Sequence, residues 1–288
     1  MLLSCSLVIA TIALLFINPF QKRKDKLDND WAKDKSFRKT NRNESHLPNN
    51  DKVSQEKEEL NNEQLKRTTV FLTEKGISQI RNSFIVIVGL GGVGSNAAMQ
   101  LLRNGCKRFR LIDFDQITLS SLNRHACATR ADVGKSKVEA VYEKMREIFP
   151  DVQVDCCARL FNMKNAEELM SGSPDYVLGM YIFHLDCIDH VQSKAELIKY
   201  CVDLNIKIIS AMGAGAKCDP SRIQIADLSE TSEDSLARAT RFLLRDMGCK
   251  ARLPVVYSTE RSGIVKLLPL EANKLEDADS YAPLATFR

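Results

Sequence analysis

A glycine-rich turn between an apolar run and a helical pattern is the segment whose residue types and spacing most directly predict chemistry. The apolar run Phe84–Val88 is followed by Gly89-Leu90-Gly91-Gly92-Val93-Gly94, and the helical pattern extends from Ser95 to Asn104. Glycines let the backbone approach phosphate groups closely, and the helix N-terminus adds N–H donors and a favourable dipole. The turn therefore predicts a nucleotide-binding site, with Gly89, Gly91, Gly92 and Gly94 holding the nucleotide.

Charged residues after this turn indicate which kind of nucleotide chemistry the site supports. Asp113 ends a second apolar run, where a carboxylate accepts hydrogen bonds from ribose hydroxyls. Arg124 and Lys137 follow at positions from which cations clamp phosphate groups and neutralise developing charge. Either cation alone is typical of a solvated surface. Their joint spacing behind the turn disfavours a nicotinamide dehydrogenase, which needs neither of them.

Strand and helix patterns alternate through Ser210 and position these residues. A helix is predicted over Lys135–Phe149, with strands at Val152–Cys156 and Ile206–Ser210. This alternation predicts an α/β fold with a Rossmann-like, doubly wound, mostly parallel sheet. We assign residues 63–288 to this domain, which begins with one or two helices over Glu63–Ile80.

The first sixty residues have a different composition. Met1–Phe20 is nearly all apolar and uncharged, and a helix of this length just crosses a hydrocarbon core of about 30 Å. We predict a transmembrane signal-anchor at 1–20, with a cleaved secretory signal as the alternative. The basic cluster Lys22–Lys24 then leaves the domain on the cytosolic side. Residues 21–62 are too polar to form a core and predict a disordered, charged linker, with some helix expected near Glu56–Gln64.

Composition and cysteine spacing set broader limits. The 288 residues are 44% hydrophobic and 27% charged, and the net charge of +4 permits a nucleic-acid partner without requiring one. Nine cysteines follow no regular framework and none forms a C-x-x-C pair. This argues against a disulfide scaffold and a four-cysteine zinc site. Cys218, beside Gly213–Ala216, is a candidate thioester nucleophile, although an idle thiol is the commoner case.

In combination the motifs resemble those of the ubiquitin-activating-enzyme-like (ThiF-like) adenylyltransferases. The resemblance covers about Glu63 to Glu260. Three later segments are similar to one branch, the tRNA threonylcarbamoyladenosine dehydratases, and the apolar N-terminus resembles that of mitochondrial outer-membrane members. The shared motifs are the glycine turn, Asp113-Phe114-Asp115, Leu122-Asn123-Arg124, Val133-Gly134-x-x-Lys137 and Asp186-x-x-Asp189, and the branch segments are Ile208–Pro220, Arg222–Leu228 and Pro254–Glu260.

The resemblance implies ATP-dependent cyclisation of N6-threonylcarbamoyladenosine in the anticodon loop of tRNA through adenylation of its carboxylate. The alternative is an adenylyltransferase that activates a ubiquitin-like or sulfur-carrier protein, against which the missing C-x-x-C pairs count. By the same resemblance, Arg124 and Lys137 hold the triphosphate of ATP and Asp113 the ribose, while Asp115 orders the loop. Asp189 matches the acid that binds Mg²⁺. Arg67 matches an arginine that reaches from one subunit to the nucleotide phosphates bound in the other subunit, which implies a homodimer.

A tRNA partner also requires a basic surface. On the predicted helix 235–245, arginines at helical spacing share one face, for which a plain solvated face is the alternative. The candidates are Lys217, Arg222, Arg238, Arg241 and Arg245.

Two features depart from the family pattern. The seven residues Gly179–Leu185 stand between the apolar segment Pro174–Leu178 and Asp186. We expect them to shift the register of the strand that leads to Asp189, or to bulge its end. The domain is also expected to be truncated at its C-terminus, because the sequence stops at Arg288 where family members begin a further apolar segment.

Overall fold

A seven-stranded sheet forms the centre of the structure, a computed structural model that describes residues 50–170, 181–249 and 252–261. The strand order is β3-β2-β1-β4-β5-β7-β6, and all neighbouring pairs are parallel except β6 and β7. The predicted doubly wound, mostly parallel α/β fold is confirmed. The strands are β1 (Ser83–Val88), β2 (Arg108–Ile112), β3 (Gln153–Cys157), β4 (Tyr181–Asp186), β5 (Ile208–Ala211), β6 (Ile223–Asp227) and β7 (Pro254–Ser258).

Helices cover both faces of this sheet. They are α1 (Asn50–Arg81), α2 (Gly92–Arg103), α3 (Lys137–Ile148), α4 (Ala166–Met170), α5 (Val191–Asp203) and α6 (Ser235–Asp246). Apolar residues of α1, α2 and α3 pack on one face, and those of α4, α5 and α6 pack on the other. All six residues of β1 are buried, as expected for a central parallel strand covered on both sides.

The first described helix begins earlier than predicted. Helix α1 starts at Asn50, so the last part of the predicted linker is helical rather than disordered. Two contacts hold this part of α1: Asn61 donates to Asp151 (3.4 Å), and Glu58 pairs with Arg81 at the far end of the same helix (2.9 Å). The helix contains a kink at Thr73, where φ is 63°.

The predicted anchor at 1–20 and most of the predicted linker lie outside the described residues. Of the helices in the described part of the chain, none is both long enough and apolar enough to cross a membrane.

The seven residues Gly179–Leu185 do not interrupt the sheet as expected. Tyr181–Leu185 themselves form β4 with Asp186, and they pair with β1 in an unbroken register that sets Val88 opposite Asp186. The apolar character of the segment lets it serve as a strand. The expected bulge at the strand end is therefore absent from β4. A register shift relative to the family pattern stays a prediction, and the strand predicted at Asp175–Leu178 lies outside the described residues.

The ionisable residue His184 lies in the apolar interior, on strand β4. Its side chain is buried next to Val86 and Ile208, and neither ring nitrogen makes a hydrogen bond within the described residues, although the Lys207 carbonyl lies nearby. Burial lowers the pKa of His184 to about 4, and the charge of Arg110 acts in the same direction. His184 directly precedes Leu185, and the residue that directly precedes Leu178 in the earlier apolar segment is Val177.

We predict that His184→Val stabilises the protein. The variant removes a buried polar ring with unsatisfied nitrogens, and the free energy of unfolding should rise by roughly 1–2 kcal/mol at pH 7. Since unfolding frees the ring to bind a proton, the wild type should lose stability as the pH falls from about 6.5 towards 4, and the advantage of the variant should grow over that window. Denaturant melts at pH 7 and pH 5 test this, and an equal or lower stability of the variant would contradict it.

Candidate nucleotide-binding site

The candidate site lies at the carboxyl edge of the sheet, between β1 and β4. Strand order reverses here, since β1 is followed along the sheet by β2 on one side and by β4 on the other. Gly89 N–H donates to Ile112 O (2.8 Å) and Cys187 N–H donates to Val88 O (2.8 Å), so the loops after three strands are joined. Such reversal points are where open α/β sheets bind ligands.

Two glycines of the turn are required by the packing of the chain itself. Gly89 has φ +91°, and a Cβ there would stand 2.8 Å from Cys187 O. A Cβ on Gly94 would stand 1.8 Å from Gly89 O, which no side chain tolerates. Only glycine at both positions allows the turn to fold tightly against the loop after β4.

Gly91 is not required in this way and opens onto free space. No described atom lies within 4 Å of where its Cβ would stand. Gly91 is also the N-cap of α2, where no side chain caps the helix and no acid occupies the first turn. An uncapped helix N-terminus with room in front of its N–H groups suits a phosphate group.

Asp113 holds the glycine turn in place. Its carboxylate accepts from Leu90 N–H (2.5 Å) and from Asp115 N–H (2.8 Å). Burial raises the pKa of Asp113, against the opposing effects of Lys137 at 4.0 Å and of these two N–H donors. The ribose-binding role of Asp113 stays a prediction.

Lys137 is positioned by a short antiparallel bridge. Gln116 pairs with Ser136, and Lys137 N–H donates to Asp115 O (3.1 Å). The Lys137 ammonium then lies 2.5 Å from an Asp115 carboxylate oxygen, with only 8% of the lysine side chain exposed. This agrees with a loop-ordering role for Asp115, and it keeps the lysine extended towards the site.

Arg124 lies across the turn. A Cβ on Gly92 would stand 3.2 Å from Arg124 Cβ, so the arginine stem packs directly over this glycine. The guanidinium donates to Ser120 O (2.7 Å) and is exposed. Asn96 joins the two segments, because its amide donates to both Gly92 O (2.7 Å) and Arg124 O (3.2 Å).

Two polar residues at this site were not anticipated from the sequence. Ser95 Oγ donates to Gly91 O (2.7 Å) and accepts from Ala126 N–H (3.0 Å). His125 Nδ1 accepts from Ala128 N–H (3.1 Å), and burial followed by the charges of Lys137 and Arg124 lowers its pKa to about 4. Both residues fix the loop that carries Arg124, a tertiary role without a local sequence signal.

A buried ion pair supports the far wall of the site. Lys194 Nζ, fully buried, donates to Asp186 Oδ2 (2.6 Å) and to Ala211 O (2.9 Å), while Ser210 Oγ donates to the same Asp186 oxygen. The other Asp186 oxygen accepts from Ile188 N–H (3.0 Å). A lysine on an otherwise apolar helix face was the only sequence signal for this cluster.

Asp189 follows this support and is exposed. Within the described ranges, no group of three or more acidic, histidine or cysteine residues is placed to hold a metal ion. Mg²⁺ is usually held by one or two carboxylates together with substrate phosphates, so a single exposed acid at this edge fits the ion only in company with a nucleotide. The metal role of Asp189 stays a prediction.

Arg67 lies away from the site of its own chain. Leu65, two residues earlier, packs against Gly105, where a Cβ would stand 2.9 Å from its side chain. Gly105 lies beyond the far end of α2, about 18 Å along the helix axis from the glycine turn. Arg67 is exposed there. The sheet therefore does not bring Arg67 together with the other predicted residues.

Only some of the residues predicted to form a basic surface are exposed in the structure. Lys217 turns inward, with its ammonium 3.0 Å from Asp234 and 2.9 Å from Ser258 O. Arg241 also turns inward and donates to the carbonyl oxygens of Leu228 and Thr231, both at 3.1 Å. Neither side chain is presented to a partner. The exposed members of the predicted set are Arg222, which pairs with Asp219 (3.1 Å), Arg238 and Arg245.

Cys218 is not an activated nucleophile. A hydrogen bond to the Glu260 carboxylate (3.4 Å), followed by the charge of that group, raises the pKa of the thiol. A thiol held in its protonated form by a neighbouring acid is a poor nucleophile.

Comparison with known proteins agrees with the geometry. The chain is 41% identical to tRNA threonylcarbamoyladenosine dehydratase 2 of Saccharomyces cerevisiae over 244 residues, which are 83% of this chain and 53% of that protein. It is 32% identical over 203 residues to the Bacillus subtilis tRNA threonylcarbamoyladenosine dehydratase, covering 70% of this chain and 77% of that one. The chain thus spans about half the length of the yeast relative and a larger share of the bacterial one.

A solved structure shares the fold. The Escherichia coli tRNA N6-threonylcarbamoyladenosine dehydratase in complex with ATP matches with a TM-score of 0.65 and 34% identity, covering 70% of this chain and 84% of that one. The family model that describes the ThiF family matches residues 62–252. This match includes the glycine turn and every strand up to β6. The chain therefore belongs to the ThiF family.

Proposed function

We propose that this chain catalyses the ATP-dependent cyclisation of N6-threonylcarbamoyladenosine in tRNA. The observation that carries the proposal is the joined cluster of glycine turn, Asp113, Arg124 and Lys137 at the strand-order reversal. The E. coli relative with the same fold was solved with ATP. Activation of a carrier protein, the alternative from the sequence, has less support. The yeast and B. subtilis tRNA threonylcarbamoyladenosine dehydratases match 83% and 70% of this chain, whereas an adenylyltransferase and sulfurtransferase of Drosophila virilis matches 56%.

The reaction divides into two steps. A carboxylate oxygen of the substrate attacks the α-phosphorus of ATP, and pyrophosphate leaves with the bonding electrons. An internal nucleophile of the substrate then attacks the activated carbonyl carbon, loses its proton and expels AMP as the ring closes. The substrate has then lost the elements of water, and ATP has become AMP and pyrophosphate. Both steps depend on positioning and charge neutralisation rather than on a nucleophilic side chain of the enzyme.

The residues of the chain supply that positioning. The open space in front of Gly91 and the N–H groups of α2 receive phosphate oxygens, while Asp113 accepts from the ribose. Lys137 exchanges its pairing with Asp115 for the phosphates, and Arg124 covers them from above Gly92. Asp189 would hold Mg²⁺ together with phosphate oxygens, and the ion would supply further charge neutralisation.

We predict that Lys137→Ala lowers ATP–pyrophosphate exchange, measured with tRNA that bears N6-threonylcarbamoyladenosine, by at least about a hundredfold. Its fold should persist, because Asp115 is left partly exposed to solvent. Lys135→Ala is the matched control, since Lys135 pairs only with Asp132 and Glu143 among the described residues. Mass spectrometry of the nucleoside should show loss of one water with the wild type.

Exchange that responds to a carrier protein and not to the modified tRNA would refute the proposed function. Full activity of Lys137→Ala would remove this lysine from the site.

The proposed assembly is a homodimer in which Arg67 serves the partner's site. Arg67 is exposed at the edge of the sheet opposite its own site, so its side chain does not reach that site. On the same helix, Val70 is 82% and Phe71 is 88% exposed. Large apolar side chains exposed next to each other favour burial against another copy of the chain.

Mixed dimers test this assembly. Arg67→Ala and Lys137→Ala should each be inactive alone. Co-expressed in equal amounts, they should recover about one quarter of the wild-type sites, because each mixed dimer contains one site with both residues intact. If Arg67 acted in its own subunit, no mixed dimer would contain an intact site and no activity would return.

The proposed location is the mitochondrial outer membrane, with Met1–Phe20 as the anchor and the domain facing the cytosol. Support comes from the apolar, uncharged sequence of this segment and the basic cluster that follows it. Removal of residues 1–20 should move the protein from the membrane fraction to the soluble fraction of cells that express it. Recovery of both forms in the soluble fraction would contradict the anchor.

A further inference from the structure

The outward face of helix α6 carries an exposed aromatic residue between two of the predicted arginines. Leu236, Ala237, Thr240 and Leu244 are buried against the domain. On the opposite side Arg238, Phe242 and Arg245 are exposed, and their spacing of four and three residues sets them on one stripe of the helix. We call these three residues the α6 stripe. Arg241 does not belong to it, because its guanidinium is bound to the carbonyl oxygens of Leu228 and Thr231.

An aromatic ring lies at the centre of the α6 stripe. Phe242 is 55% exposed, and the Arg245 guanidinium lies 5.1 Å from the centroid of its ring. The ring is thus held from one side by a cation and leaves apolar surface open to solvent. Aromatic rings next to arginines are the surfaces on which unpaired nucleic-acid bases stack.

The two arginines of the stripe are available to phosphate groups. Within the described part of the chain, neither Arg238 nor Arg245 makes an ion pair, whereas Arg222 pairs with Asp219 and Arg261 with Glu233. The one acid on α6 is Asp246, its last residue. Charge complementarity therefore favours an anionic polymer on this face rather than an apolar protein surface.

The α6 stripe begins close to the carboxyl edge of the sheet, where the candidate site lies. Asp234, the N-cap of α6, accepts from Ala237 N–H (2.8 Å) and Gly213 N–H (3.4 Å), and it pairs with Lys217. Gly213 follows β5 at that edge. Arg238 is thus about 6 Å and Arg245 about 16 Å along the helix axis from this anchoring point. The α6 stripe therefore starts at the edge of the sheet that also carries the candidate site.

We propose that the α6 stripe binds single-stranded RNA next to the modified nucleotide, with Phe242 stacking on an unpaired base and Arg238 and Arg245 contacting phosphates. This inference rests on the proposed function for the identity of the RNA. It replaces the predicted arginine-only face by an Arg-Phe-Arg face, and it gives Lys217 and Arg241 structural roles that fix α6 to the domain.

Binding of an anticodon stem-loop RNA to the full chain tests the proposal. Phe242→Ala should weaken binding about tenfold and leave the salt dependence unchanged, because stacking involves no counterion release. Phe242→Trp should restore the affinity. Arg238→Ala and Arg245→Ala should each weaken binding several-fold, and each should lower the slope of log affinity against log salt by about 0.7.

Matched controls come from α3, where Arg146 lies 5.7 Å from the ring of Tyr142 on the other face of the sheet. Tyr142→Ala and Arg146→Ala remove a similar pair and should leave RNA binding unchanged. Asp246→Asn removes the only acid of α6 and should strengthen binding at low salt. Thermal midpoints of the stripe variants should equal that of the wild type, since their side chains are exposed.

The proposal would be overturned if the Phe242→Ala variant bound RNA with wild-type affinity. It would also be overturned if the α3 control variants weakened RNA binding as much as the stripe variants do. The proposed function is tested separately by product formation. If the wild type forms product and the Phe242→Ala variant binds RNA with unchanged affinity, only the RNA-binding role of the α6 stripe is refuted. A change in sedimentation of the Phe242→Ala variant without a change in RNA binding would identify a protein interface instead and would also refute it.

Discussion

The buried pair of Asp186 and Lys194 is the interaction on which the site depends. It joins the end of β4 to α5, and through Ser210 and Ala211 it reaches β5. Both side chains are fully buried, so removal of either partner leaves a desolvated charge at a cost of about 3–5 kcal/mol. Because Lys194 Nζ on α5 contacts Asp186 of β4 together with Ser210 and Ala211 of β5, the pair fixes how β4, β5 and α5 meet at the carboxyl edge.

The glycine turn rests on this support. Cys187, next to Asp186, leaves no room for a Cβ on Gly89, and Gly89 O in turn leaves none on Gly94. Asp113 then fixes the turn from the other side through Leu90 N–H. The backbone of the turn is therefore held from both neighbouring strands before any nucleotide binds, and little reorganisation is needed when phosphate enters. Such preorganisation is what makes positioned charges effective in catalysis.

Strand β4 shows how a parallel sheet tolerates an unusual sequence. At its carboxyl end the register of β4 against β1 is held by the ion pair of Asp186 and by Cys187 N–H bonded to Val88 O. Tyr181–Leu185 is an apolar segment except at His184, which faces an apolar environment without a hydrogen bond among the described residues. The strand forms in an unbroken register despite this buried histidine, and Asp186 stays opposite Val88 at the site.

The sequence by itself determined the alternating strand and helix order, the glycine turn and the position of Asp113 at a strand end, because these follow from local periodicity and from spacing along the chain. Only the tertiary structure decided which charged residues face inward. Lys194 is buried because Asp186 and Ala211 meet it there, and Arg241 turns inward because Leu228 and Thr231 offer carbonyl oxygens. Helical spacing places a side chain on a face, but its partners lie on elements distant in sequence, and their arrangement exists only once the sheet has formed.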